Sequence, residues 1–273
     1  MIDMNKDNLP IKNNLCLFLV LMLVSSSASG CFSSEELISE KFGEPGGLVL
    51  ACLNSSQFDE LVIEVDYEEN QKPTPETLDL MVERIGSVCQ KDSIRIELFL
   101  TDFNHEGKWS NEEIRLKGRE TRAHNAMNDN QLRFHFMFPS GSHQDESVLG
   151  VAVDASTTMI FIDRIKESEN IVQRPSWENI ESAVTIHELG HLLGLVNLVY
   201  TSNIDHEDPE HPGHSSNEDS VMYWAIDSSD IANIIFGTLP NDFDSDDKED
   251  LSNLQQGLLK ANNQLWYPEN YLS

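Results

Sequence analysis

The chain of 273 residues is poor in basic side chains, with 18 Lys and Arg against 47 Asp and Glu, and its formal net charge at pH 7 is −29. An acidic surface of this kind repels nucleic-acid phosphates and anionic lipid headgroups. The charge balance therefore argues against a nucleic-acid partner, and it leaves basic or neutral peptides as the easier partners to accommodate. Solubility alone is the simpler explanation of the same charge.

The chain also lacks an apolar run long enough to span a bilayer comfortably. The run at residues 15–24 has ten members and follows two lysines, which is typical of the hydrophobic part of a signal peptide. We therefore expect a signal peptide over residues 1–30 and a mature protein that works outside the cytoplasm.

Small residues and a cysteine follow the apolar run. The stretch Ala28, Ser29, Gly30 and Cys31 resembles the lipobox of prokaryotic lipoproteins, in which the signal is cut before a cysteine that receives the lipid. The resemblance implies lipidation of Cys31 and a cell-surface lipoprotein that meets the membrane only through its lipid anchor. A secreted protein is the alternative.

Cysteine is scarce as well, since the chain has four. Cys16 lies in the expected signal peptide and Cys31 at the expected lipidation site, which leaves Cys52 and Cys89. In an oxidising compartment these two can form a disulfide, and two buried thiols are the alternative. Neither has the spacing of a metal ligand to a partner.

The remaining chain is long enough for one sizeable core, and its hydrophobic pattern alternates between the periods of strands and helices. A strand, an amphipathic helix with proline in its first turn and a second strand come first, which predicts a βαβ unit. The predicted strands are residues 61–66, 93–99, 132–138, 148–153 and 158–163. The predicted helices, besides the motif helix below, are residues 75–88, 110–125 (which begins with capping-box spacing) and 246–261.

These elements predict an α+β fold with a mixed, twisted sheet of about five strands, packed helices, one helix that carries the active site and a small irregular C-terminal lobe. Residues 31–58 are expected to be a tether, because the glycine and proline at residues 43–47 break the pattern. The domain is expected over residues 59–273, with an upper lobe at 59–194 and a lower lobe at 195–273.

The strongest chemical signal lies at residues 185–197, where His187 and His191 stand four residues apart. On a helix both imidazoles project from one face and can take two positions of a tetrahedral Zn²⁺. Glu188 lies beside them, and such a carboxylate can take a proton from water at the metal and pass it to a leaving amine. Gly194 lets the chain leave the helix with positive φ. A buried core helix that carries two histidines is the plain alternative, since the segment is otherwise apolar.

This long motif, followed downstream by Ser220, Val221, Met222 and Tyr223, resembles the metzincin zinc metalloproteases over residues 175–225. The resemblance implies a zincin fold and a tight turn in which Met222 forms a hydrophobic floor beneath the metal. An ordinary core methionine is the alternative. In metzincins with a functional tyrosine, that tyrosine lies two residues after the methionine rather than one, so Tyr223 is left out of the catalytic set.

The third metal ligand stays open at this point. Metzincins usually carry His or Asp three residues after the motif glycine, where this chain has Asn197, and an amide oxygen is a weak zinc ligand. The spacing from His214 to Met222 is similar to that of archaemetzincin-type sequences, with two serines in place of cysteines, and this register favours His214. His206, in the acidic loop between, is the rival. Each downstream histidine also has a plain reading as a solvated loop residue.

The expected function is zinc-dependent peptide-bond hydrolysis by a monomeric metalloendopeptidase, with Glu188 as general base and a peptide or protein as substrate. An exported lipoprotein that binds metal or peptide without turnover is the alternative. An acidic adhesin that uses calcium is a third hypothesis. Residues 240–246 resemble a calcium loop only superficially, because Asp247 and Asn253 occupy the positions of the EF-hand glycine and bidentate glutamate.

Overall fold

The computed structural model describes residues 43–168, 175–229, 231, 237–261 and 266. These residues belong to one compact unit. The expected signal peptide and the expected lipidation site at Cys31 lie outside the described residues. In the part of the chain that is described, no helix is both long enough and apolar enough to cross a bilayer.

The structure is built on a mixed β-sheet. The described residues form the strands β1 (Glu60–Tyr67), β2 (Ser93–Leu100), β3 (Lys108–Trp109), β4 (Met127–Asn128), β5 (Gln131–Phe138), β6 (Ser142–His143), β7 (Gly150–Ala152) and β8 (Thr157–Ile160). Six of these make one sheet with the order β2, β1, β5, β8, β7, and the short β4 pairs with β5. Pairing along this order is parallel except between β8 and β7. The predicted mixed sheet of about five strands is confirmed, and β7 lies at one edge of it.

Helices pack on this sheet. Within the described residues they are α1 (Val49–Leu53), α2 (Pro75–Val88), α3 (Asn111–Thr121), α4 (Ile162–Ser168), α5 (Trp177–Leu192) and α6 (Ser245–Gln255). The predicted βαβ unit is confirmed, because α2 connects β1 to the parallel β2. The hydroxyl of Thr74 caps α2 by accepting a hydrogen bond from the backbone N–H of Thr77 at 3.2 Å. Ser110 and Glu113 form a complete capping box at the start of α3.

The two faces of the sheet differ in character. On β1, Ile63 and Val65 belong to the main hydrophobic core, which also contains the buried apolar residues of α5. Glu64 and Asp66, which alternate with them, are buried on the other face. There His135 of β5 lies with its Nε2 atom 2.6 Å from the carboxylate of Asp66. The motif helix therefore packs on the apolar face, and buried charges pair with one another on the opposite face.

Some elements end earlier than their predicted bounds. The strand predicted at residues 158–163 stops at Ile160, and Ile162 begins α4. Helices α3 and α6 also end before their predicted ends at residues 125 and 261. Apolar residues follow the ends of β8 and α6, so the hydrophobic pattern alone overstates the length of these two elements.

Residues 43–58, expected to be the end of a tether, instead pack onto the domain. All of α1 is buried and belongs to the main hydrophobic core. The ammonium of Lys91 donates hydrogen bonds to the backbone carbonyls of Ala51, Asn54 and Phe58 at 2.5 to 2.7 Å. These contacts satisfy carbonyl groups that the short helix leaves without partners. The hydrophobic core therefore begins before residue 59.

A disulfide fastens the same segment. Cys52 of α1 and Cys89, the residue that follows α2, are bonded, with their Cα atoms 5.2 Å apart. Of the two alternatives for these cysteines, the structure has the disulfide. The bond closes a loop with a sequence separation of 37 residues.

We expect the double variant Cys52→Ala/Cys89→Ala to have an unfolding free energy lower by about 4 kcal/mol, because the unfolded chain is no longer constrained by the closed loop. Guanidinium titration of the oxidised protein and of the variant measures the difference. Wild-type protein kept under a reducing agent serves as the control and is expected to match the variant. A variant with the midpoint of the oxidised protein would contradict this role of the bond.

Candidate metal centre

Helix α5 carries two of the histidines, of which His187 is buried and His191 half-buried. Apart from its first turn and His191, its residues are buried. The rings of His187 and His191 have their centroids 4.7 Å apart. The Nδ1 atom of His187 lies 2.7 Å from the carbonyl oxygen of Val221. Since a carbonyl only accepts, Nδ1 carries the proton, and Nε2 is left with a lone pair for a metal.

A loop brings a third histidine to the pair. The ring centroid of His214 is 5.2 Å from that of His187 and 5.1 Å from that of His191. Each of the three residues offers a ring nitrogen, and these atoms lie within 4.8 Å of one another. The backbone carbonyl of His214 accepts from Asp208 N–H at 2.8 Å, which fixes the loop on which it stands.

The three histidines fit a zinc ion. Nε2 of His187, Nδ1 of His191 and both ring nitrogens of His214 are buried without a hydrogen-bond partner among the described residues. Burial, and then the neighbouring His214, lowers the pKa of His187 to about 3. The pKa of His191 also lies well below its usual range, chiefly through burial. Neutral imidazoles with free lone pairs are the form that binds metal, and three histidines with an open fourth position are a known catalytic zinc set.

Glu188 lies next to this cluster. Its side chain is buried, and its Oε2 atom has no hydrogen-bond partner within the described part of the chain. The backbone N–H of Ala152, on the edge strand β7, donates to the carboxylate. Burial raises the pKa of Glu188 well above its usual range, and the nearby Asp227 carboxylate raises it further. Such a carboxyl group is a stronger base than one in water.

Met222 packs directly against α5. A Cβ atom built on Gly190 would lie 2.2 Å from the sulfur of Met222, so the methionine fits only because residue 190 has no side chain. Ser220 supports the turn, because its hydroxyl accepts from Met222 N–H at 3.0 Å and donates to Asp247 at 2.9 Å. Tyr223, which follows, is partly exposed. The methionine thus contacts the helix between the two histidines.

Gly194 ends the motif helix in close contact with the segment before β1. Its φ is +71°, and a Cβ atom there would lie 2.4 Å from the side chain of Val199. A Cβ atom on Gly46 would lie 2.5 Å from the Cα atom of Gly194. The two glycines therefore touch backbone to backbone.

Asn197 and His206, the other candidates for third ligand, lie in different contacts. The amide of Asn197 donates to Glu207 at 2.8 Å and accepts from the backbone N–H of Ser202 at 2.7 Å, so both of its polar atoms serve the loop. His206 is 3% exposed, and its Nε2 atom lies 3.1 Å from Asp250. The structure brings neither residue to the cluster of three histidines.

The position of His206 has an electrostatic cause. Asp247 and Asp250 project from α6, and Oδ1 of Asp247 lies 3.9 Å from Nδ1 of His206. The hydrogen bond to Asp250 raises the pKa of His206, as do the surrounding carboxylates. The carboxylates of α6 thus hold the imidazole of His206 away from the cluster of three histidines.

A cleft opens beside the cluster. It has a volume of about 250 Å³ and is lined by Pro45, Val148, Gly150, Val151, Ala152, Glu188, His191, Leu198, Pro212, Gly213, His214 and Asp227. Sequence reasoning did not single out Asp227, which ends the 3₁₀ turn Trp224–Asp227 and has its Oδ2 atom 3.9 Å from Nε2 of His214. No sequence motif includes Asp227, and its position at the cleft depends only on tertiary contacts.

Replacing Gly190 by alanine is expected to lower the unfolding free energy by about 1–3 kcal/mol, because the added methyl group overlaps Met222. The same change at Gly86, an exposed residue of α2, is the matched control. There the methyl group would lie 3.4 Å from Ile94, and alanine is expected to stabilise the helix by up to about 1 kcal/mol. Parallel urea titrations measure both. Equal stability of the two variants would contradict the contact with Met222.

Comparisons with known proteins give a distant likeness. No family model matches the chain, and no curated protein matches it. Among solved structures, the chain is similar to a crystal structure of archaemetzincin from Methanopyrus kandleri, at 11% sequence identity and a TM-score of 0.44. The likeness covers 72% of this chain and 97% of that chain.

Proposed function

We propose that the protein is a zinc-dependent metalloendopeptidase. The observation that carries the proposal is the meeting of three histidines, His187, His191 and His214, with the buried carboxylate of Glu188 at an open cleft. Three histidines leave one metal position free for chemistry. The proposal treats the chain as a monomer that acts on a peptide or protein.

The three imidazoles would hold the metal, with Nε2 of His187 fixed toward it by the hydrogen bond to Val221. When bound, zinc supplies a Lewis acid that polarises the scissile carbonyl and lowers the pKa of water toward neutrality. The unpartnered ring nitrogens of His191 and His214 favour the same assignment, since a buried nitrogen without a partner costs free energy.

Glu188 is the general base in this proposal. Its carboxylate takes the proton of the attacking water and delivers it to the leaving nitrogen. Burial favours the protonated form of the group, which makes the carboxylate a ready proton acceptor. The hydrogen bond from Ala152 orients the carboxylate at the wall of the cleft.

A peptide suits the cleft because the edge strand β7 lines it. β7 is the last strand of the sheet order, and all three of its residues, Gly150, Val151 and Ala152, belong to the cleft wall. An extended peptide can bind along an edge strand through main-chain hydrogen bonds, independent of its side chains. This favours a peptide over a small molecule as substrate.

Export and lipidation of Cys31 belong to the proposal and rest on the sequence. The disulfide between Cys52 and Cys89 supports a location in an oxidising compartment. A lipoprotein that binds metal or peptide without turnover is the second candidate. Only the first candidate function, peptide hydrolysis, requires Glu188.

The variant Glu188→Gln is expected to keep one zinc per chain and to lose hydrolysis of a mixed peptide library by at least about 100-fold, because it lacks the proton acceptor. Glu178→Gln, a change in the first turn of the same helix, is the matched control and is expected to keep the wild-type rate. Zinc content and peptide cleavage are measured on the same samples. Wild-type cleavage by Glu188→Gln would refute the assigned base, and a wild-type protein that binds zinc but cleaves nothing would favour the second candidate.

Two histidine variants test the third ligand. His214→Ala is expected to weaken zinc binding by at least about 100-fold, whereas His206→Ala is expected to keep wild-type affinity, because His206 pairs with Asp250 instead. Competition with a chromophoric chelator measures both affinities, and circular dichroism checks that both variants are folded. The reverse order of the two affinities would assign the site to His206.

A further inference from the structure

Asp227 is fixed at the mouth of the cleft by its own backbone. Its carbonyl oxygen accepts a hydrogen bond from Leu149 N–H at 3.1 Å. Ser229 N–H donates to the carbonyl of Ser147 at 2.8 Å, and Val148 forms a bridge with Ser228 between these two bonds. The segment thus pairs with the chain that leads into β7, and the carboxylate of Asp227 has a defined position.

The carboxylate stands close to the reacting groups. One oxygen of Asp227 lies within 4.8 Å of a ring nitrogen of His187 and of a carboxylate oxygen of Glu188. Its Oδ2 atom is 3.9 Å from His214 Nε2, which is too long for a hydrogen bond. The side chain is 30% exposed, so part of the carboxylate is open to a molecule in the cleft.

Within the described residues, no lysine or arginine pairs with this carboxylate. The described residues that line the cleft include two carboxylates, Glu188 and Asp227, and neither lysine nor arginine. In the described part of the chain, the basic side chains nearest to Asp227 are the imidazoles of His214 and His211 rather than a lysine or an arginine. An ammonium or guanidinium group that enters the cleft can therefore form a charge-assisted hydrogen bond with Asp227 without displacing a lysine or arginine of the described chain.

We infer that Asp227 is a specificity-determining residue, which selects peptides that carry a positively charged group next to the scissile bond. The remaining wall is apolar, formed by residues such as Val148, Val151 and Leu198. Such a wall accepts the methylene stem of a long basic side chain while its ammonium or guanidinium group meets the carboxylate. The inference rests on the proposed function for the presence of a scissile bond, and on Asp227 alone for the charge preference.

The preference is measured by binding, so that it does not depend on turnover. The protein is the zinc-loaded Glu188→Gln variant, and the probe is a fluorescent peptide of one parent sequence in which each position is in turn Lys or Nε-acetyl-lysine. Acetylation removes the charge and keeps the stem. Fluorescence anisotropy gives the dissociation constant of each peptide, and zinc content is measured on every sample.

At one position, the Lys peptide is expected to bind about tenfold more tightly than its acetylated partner, as one charge-assisted hydrogen bond allows. Adding Asp227→Asn is expected to abolish this difference while zinc content stays the same. Adding Asp92→Asn, which removes the same charge from an exposed residue outside the cleft, is expected to leave the difference unchanged.

Three results would overturn the inference. They are equal affinities for Lys and acetyl-lysine at every position, an equal loss in the Asp92→Asn protein, and a loss of zinc in the Asp227→Asn protein, which would make Asp227 a support of the metal. Failure of the proposed function has a separate signature. In that case wild-type protein does not cleave the parent peptide. The binding comparison tests the charge preference independently of that result.

Discussion

The hydrogen bond between His187 Nδ1 and the carbonyl of Val221 is the contact on which the candidate metal centre depends. It determines which ring nitrogen carries the proton, and therefore which one can bind a metal. It also joins α5 to the turn that carries Met222, whose sulfur packs against Gly190. One bond thus sets the chemistry of a ligand and the position of the turn at the same time.

Helix α6 supports this arrangement from behind. The carboxylate of Asp247 accepts a hydrogen bond from the hydroxyl of Ser220, at the start of the turn. Burial raises the pKa of Asp247 to about 6. Asp250 of the same helix lies within hydrogen-bond distance of His206 Nε2, and it accepts a hydrogen bond from the hydroxyl of Ser202 at 2.6 Å. The buried carboxylates of Asp247 and Asp250 thus anchor two loops to α6. Its carboxylates explain why His206 is kept from the other histidines.

The sequence was most informative where function depends on local spacing. His187 and His191 lie together because a helix brings residues four apart to one face, and Glu188 follows from the same helix. The βαβ unit was predictable for the same reason, since its strands and helix each have a clear period. The choice of third ligand between His214, His206 and Asn197 was not predictable. It depends on which loop residues form hydrogen bonds with the carboxylates of α6. Contacts between residues this far apart in the sequence produce no periodic pattern from which they could be predicted.

The contact between Gly46 and Gly194 has a consequence for where the folded domain begins. A boundary drawn from the hydrophobic pattern at residue 59 would remove Gly46, and with it Pro45, which lines the cleft. Gly194, at the end of the motif helix, would then face solvent on the side where it now contacts the backbone of Gly46. The segment that contains Pro45 and Gly46 is therefore part of the candidate metal centre, and a chain that began at residue 59 would lack one of the residues that line its cleft.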